Sequence, residues 1–138
     1  MGGFVPKTAK EAWANQWIFD TDADFAKKDG AVAAFFTDNA DEATINKTYE
    51  LLVELMDKLN VFFSDGRKHA CGENVCAADF RVLAIASGLI NNYHMKNPSL
   101  GEKLRSAFDK RVHLRRVVAN GMELPGVANT AAKFETYI

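Results

Sequence analysis

Residues 75–86 read Val75-Cys76-Ala77-Ala78-Asp79-Phe80-Arg81-Val82-Leu83-Ala84-Ile85-Ala86. With Cys76 as N-cap, Asp79 falls at the third helical position. There its carboxylate can accept the backbone N–H of the cap residue and meet the positive end of the helix dipole. Val75 and Phe80 stand one residue before and four after that cap, the spacing of a hydrophobic staple. Apart from Arg81, the helix opened here is apolar on nearly every side. In a globular domain such a helix is predicted to be central and buried.

Working backwards, Asp65 to Asn74 is polar and holds Gly66 and Gly72, which reads as a loop. Before it, Asp41 is the N-cap of the clearest amphipathic helix in the chain. Ile45, Tyr49, Leu52, Met56, Leu59 and Phe63 recur there at steps of four and three, with Glu50, Glu54, Asp57 and Lys58 on the other side. Ser64-Asp65-Gly66 ends it. Further upstream, a helix over about Thr8 to Lys28 spaces Trp13, Trp17 and Thr21 four apart. Ile18 and Phe25 give it a second apolar edge. Gly30 interrupts or ends that helix, and a short apolar stretch, Ala31 to Phe36, closes at Thr37-Asp38-Asn39.

Working forwards, Asn97-Pro98 closes the central region, and Ser99 with Glu102 forms a second capping box. Leu100, Leu104 and Phe108 face inward on the helix that follows. A last helix, roughly Val112 to Asn120, is predicted to stop at Gly121, with Pro125 just beyond. No strand-like alternation is sustained over five residues anywhere. The fold class is therefore all-α, a helical bundle, with residues 1–7 as an extension, 8–126 as the domain and 127–138 as a surface or free tail.

The chain has 138 residues, 17 Lys+Arg against 18 Asp+Glu, and a formal net charge of −1. One domain of that length buries a core without metals or disulfides. Hydrophobic residues at 48% and charged residues at 25% exclude disorder, and near-neutral charge excludes a nucleic-acid footprint. No apolar run approaches the roughly 20 residues of a bilayer span, and no secretory signal precedes Thr8. The expected setting is intracellular and soluble, cytoplasmic by default, and Cys71 and Cys76 are too few and too close for a secreted disulfide scaffold.

The polar loop with Gly72, the cap box at Asp79 and the staple at Val75 and Phe80 together resemble the C-terminal helical domain of the glutathione transferases. That family places a glycine, a spacer and then Ser/Thr-x-x-Asp at the start of its central helix. The likeness runs from about residue 8 to 126 and takes in the helices on both sides. Cys76 departs from it, standing where the family has Ser or Thr. A thiol is a weak acceptor, so the cap should be weaker by about 1 kcal/mol.

The resemblance also implies what to look for. In that family a thioredoxin-like domain binds glutathione and activates its thiol, and no βαβ pattern is read in these 138 residues. The implied function is a non-catalytic helical domain, a structural or protein-interaction subunit of a larger assembly. Its protein partner would cover the face vacated by the thioredoxin-like domain, and a homo-oligomer is an alternative occupant. No cofactor is then required, nor any catalytic residue. The other implied reading is the C-terminal part of an active transferase, with glutathione as co-substrate and the first domain supplied elsewhere. Under it Trp13, Trp17, Thr21 and Asp24 border the substrate or glutathione site. For Trp13, Trp17 and Thr21, packing is the plainer account, and for Asp24 a solvated turn shared with Asp20 and Asp22. Trp13, Trp17, Ile18, Phe19 and Phe25 exceed what one buried stripe needs, which points to one edge of the first helix meeting a partner chain.

His69, Cys71 and Cys76 form a His-x-Cys-x₄-Cys cluster that fits no usual zinc spacing, so no metal is expected. Cys71, read as exposed in its loop, is a candidate reactive thiol beside Arg67, Lys68 and His69. Lys110, Arg111, His113, Arg115 and Arg116 read as a solvated basic face near a helix end. Rossmann, P-loop and Gly-x-Ser-x-Gly motifs are lacking.

Overall fold

The computed structural model describes residues 5–91, 96–125 and 127, leaving aside the side chains of 89–91. Six helices occupy those residues: α1 Ala9–Ala26, α2 Ala33–Phe36, α3 Glu42–Phe62, α4 Ala77–Asn91, α5 Pro98–Lys110 and α6 Val112–Met122. No strand is present among the described residues, so the all-α expectation is met. The tail from 128 onward, the first four residues and His94 lie outside the description.

Each start has a local cause. Thr8 caps α1, its Oγ1 accepting the Glu11 N–H at 3.1 Å. The Glu11 carboxylate reaches back to the Lys7 N–H at 2.9 Å, a reciprocal pair that closes the first turn. Asp41 caps α3 through the Thr44 N–H at 2.8 Å, where the charge pattern puts it. At α5 the structure corrects the reading. Pro98 takes the first turn, which its fixed φ suits, and Asn97 becomes the cap residue, so Ser99 to Glu102 is not a capping box. The Asn97 side chain serves the tertiary structure instead. It donates to the Ala34 and Thr37 carbonyls at 2.6 and 3.1 Å and accepts the Ala40 N–H at 3.2 Å, pinning the turn after α2.

Helix α3 packs against α1, α2, α5 and α6, while α4 packs against α1, α5 and α6. Ile18, Leu52, Met56, Leu59, Phe63, Val82, Leu100, Leu104, Leu114 and Val117 fill the space between them. Removing a side chain of that size from water is worth about 1.5–3 kcal/mol. The α3 stripe holds at Leu52, Met56, Leu59 and Phe63, while Ile45 and Tyr49 are only partly covered. Thr48, outside that stripe, is fully buried because its hydroxyl accepts the Ala34 N–H at 3.3 Å and donates to the Gly30 carbonyl at 3.1 Å. Gly30 has φ +80°, the left-handed turn that separates α1 from α2.

Two expectations about α4 and α6 are revised. Gly121 does not stop α6, which runs on to Met122. It is buried inside the helix, where a Cβ would meet the Leu83 side chain at 3.2 Å, so its role is close approach to α4. And α4 is not buried all round. Ala78, Val82 and Ala86 are enclosed, but Ala77, Phe80, Arg81 and Ala84 face outward at helical spacing. Among the described residues α1, α5 and α6 pack against α4, and these four positions keep exposure to solvent.

Candidate functional site

The loop from α3 into α4 is held by one buried carboxylate. Asp79 Oδ2 accepts the Cys76 N–H at 2.9 Å, the cap-box bond expected from sequence, and Oδ1 accepts the Ala70 N–H at the same distance. Asn15 on α1 accepts the Ala78 N–H at 3.0 Å, so a second side chain satisfies the helix start. His69 and Gly72 exchange backbone hydrogen bonds at 2.8 and 3.1 Å. The His69 Nδ1 is buried 3.8 Å from Asp79 Oδ1 and has no hydrogen-bond partner.

The cysteines depart from the sequence reading. Cys71 and Cys76 are bonded to each other as a disulfide, and Cys71 is 3% exposed, not an open loop thiol. The Cys76 sulfur is therefore not the helix cap, and Asp79 carries that duty. The bond also removes both sulfurs as metal ligands. Among the described residues no three His, Cys, Asp or Glu groups gather to hold an ion.

On the α1 side of this loop, Asn74 Nδ2 donates to Glu11 Oε1 at 2.9 Å. That bond first, and the Lys7 N–H second, hold the Glu11 carboxyl below its ordinary range. A cleft of about 510 Å³ opens there, lined by Thr8, Lys10, Glu11, Arg67, Cys71 and Glu73 among others.

The open stripe of α4 runs between two further recesses. At its N-terminal end Val75 and Phe80 meet Leu124, Pro125 and Lys7 around a groove of about 430 Å³, so the staple residues share one wall. Phe80 remains 38% exposed. At the other end Ala84, Ile85 and Gly88 border a groove of about 210 Å³ with Phe25, Phe35, Leu52 and Leu55. Arg81 and Asp22 line this second groove too, 3.5 Å apart, with Arg81 over the Phe19 ring at 5.5 Å. Burial raises the Asp22 carboxyl above its ordinary range, and the Arg81 charge opposes the rise. What this surface offers is small and aromatic area beside one ion pair, suited to burial against another molecule.

The residues singled out on α1 do not converge on one pocket. Trp17 stacks on Phe62 with ring centroids 3.9 Å apart, and Trp13 lies 5.8 Å from the same ring. Arg67 sits over Phe62 at 4.5 Å. Thr21 is half-buried against Phe25, Leu55 and Lys58 in a crevice of only about 10 Å³. Asp24 is exposed. The aromatic surplus of α1 is mostly absorbed within the chain: Ile18 enters the core, Phe19 and Phe25 pack on its edge, and Trp17 has Phe62. Trp13 alone stays 62% exposed.

Two members of the basic cluster are tied down, while Lys110 and Arg115 are exposed. Arg111 Nε meets Asp57 at 2.9 Å and its Nη1 the Ala107 carbonyl, while Arg116 donates to the Arg67 and Phe63 carbonyls. Sequence reasoning missed the α4 stripe because its neighbours on both sides are apolar, so periodicity shows no contrast there. No helix among the described residues is long and apolar enough to cross a membrane. In comparison with known proteins, the chain matches no family model, no curated protein and no solved structure.

Proposed function

We propose that this chain is a glutathione-transferase-like helical domain acting as a structural or protein-interaction subunit of a larger assembly, without catalysis of its own. The single observation that carries the interaction reading is the row of solvent-exposed positions Ala77, Phe80 and Ala84 on α4, with a recess of mixed lining at each end. A helix held by three neighbouring helices and still exposed to solvent at these positions offers area that a docking partner can cover. The likeness itself is supported by the Asp79 bond to the Cys76 N–H and by a polar loop feeding a central helix. The non-catalytic part rests on the sequence, in which no thiol-activating βαβ unit is read.

Size-exclusion with light scattering tests this, on the purified chain and on the same chain in its native extract. A larger species in the extract is expected. A monomer in both counts against the proposal. Conjugation of glutathione to an aromatic electrophile by this polypeptide alone would overturn the non-catalytic part.

A further inference from the structure

The α3–α4 loop carries a covalent bond that the interaction reading does not use. Cys71 and Cys76 are both enclosed, at 3% and 1% exposure, yet of the two only Cys71 borders the 510 Å³ cleft against the start of α1. Cys76, one residue ahead of α4, is not part of that lining. The bond is not what starts that helix, because Asp79 and Asn15 already take the N–H groups of Cys76 and Ala78.

We propose that the Cys71–Cys76 bond is a thiol-exchange site entered from the cleft, with Cys71 as the sulfur attacked. A small thiol, as its thiolate, attacks Cys71 Sγ. A new sulfur–sulfur bond forms to Cys71 as the bond to Cys76 breaks. The Cys76 sulfur leaves with the electron pair and takes up the proton that the incoming thiol gave up. A second molecule of the thiol then displaces Cys71, so the small thiol is oxidised to its disulfide and both protein sulfurs become thiols. Lys10 and Glu73 stand exposed on the cleft walls with opposite charges, while Arg67 is paired with Asp65 and Glu11 with Asn74. Such a lining suits a zwitterionic thiol of the cysteine kind. Opening the bond frees the loop while leaving α4 capped, so loop and helix are expected to respond differently.

The test treats the intact chain with free cysteine, traps adducts by acid quench and maps them by peptide mass spectrometry. The cysteinyl adduct is expected on Cys71. Amides of the loop should exchange faster once the bond opens, while those of α4 keep their protection. The single-cysteine variants are given cystine in place of free cysteine, so that the protein thiolate attacks its disulfide and releases one cysteine. Cys76→Ser should then leave a Cys71 that forms the adduct readily, and Cys71→Ser a Cys76 that reacts roughly tenfold more slowly. The far-UV circular dichroism of each variant confirms that it is folded, and the adduct map of the unaltered chain decides the matter if one is not. An adduct on Cys76, equal rates in the two variants, or a bond that free cysteine does not open would each overturn the proposal.

Discussion

Asp79 does the work of two residues. One carboxylate, 2% exposed, accepts N–H groups from both ends of the 70–76 loop, so truncating it leaves two buried donors unpaired. Asp79→Ala is expected to cost about 2–6 kcal/mol, at 1–3 kcal/mol for each of the two orphaned donors, read from urea unfolding. A change below about 1 kcal/mol would mean that the loop finds other partners. The titrating carboxylates act in opposite senses. Glu11 is held below its ordinary value, about 4.5, in the folded chain. Its contribution is present above that value and lost as pH falls through the lower folded one. Asp22, raised above 3.8 by burial, contributes below that value and loses its contribution as pH rises. Glu11→Gln should therefore flatten the acid limb of a melting-temperature profile below about pH 4.5. Asp22→Asn should leave or slightly raise the melting temperature at neutral pH. A steeper acid limb in Glu11→Gln, or clear destabilisation by Asp22→Asn at neutral pH, would contradict this.

At the scale of elements, the short α2 and the turn after it depend on a residue 60 positions away in sequence. Asn97, buried at the start of α5, donates to the Thr37 and Ala34 carbonyls and accepts the Ala40 N–H. Asn97→Ala removes these partners together. It is expected to destabilise by about 1–3 kcal/mol, with the largest rise in amide exchange at Ala40, whose N–H loses its acceptor. Rapid exchange confined to α5 would instead show that the side chain acts as a helix cap. Helix α1 is similarly shared. Trp17 stacks on Phe62 of α3, while Asn15, Phe19 and Asp22 turn to α4. An aromatic pair of this kind is worth about 0.5–1.5 kcal/mol beyond its buried area, enough to favour packing over an open substrate wall for Trp17.

For the whole molecule, the open side of α4 is the surface that decides the proposed role. Ala84 is exposed and borders the recess between α1, α3 and α4, so a longer charged side chain there meets solvent in the isolated chain. Ala84→Arg should leave the melting temperature within about 0.5 kcal/mol equivalent of the parent, as surface changes usually do, yet abolish the larger species in the extract. Loss of fold would show that the stripe is part of the core. A surviving complex would move the docking face elsewhere, Trp13 being the next exposed aromatic.

Five of the six described helices, their order, the Leu52, Met56, Leu59 and Phe63 part of the α3 stripe and the Asp79 bond were legible in the sequence, while α2 read only as a short apolar stretch. Each is a local pattern: spacing at 3.6 residues per turn, a carboxylate three positions into a helix, a proline that cannot continue one. Tertiary structure alone decided the rest. The bond between Cys71 and Cys76 needs the loop to fold back on itself, which spacing does not record. Asn97 and Thr48 are buried because carbonyls and N–H groups distant in the chain arrive beside them. Gly121 lies within its helix because Leu83 presses against it. And α4, apolar on nearly every side apart from Arg81, could not disclose which face would keep its exposure, since burial is set by the helices that pack around it and not by its own composition.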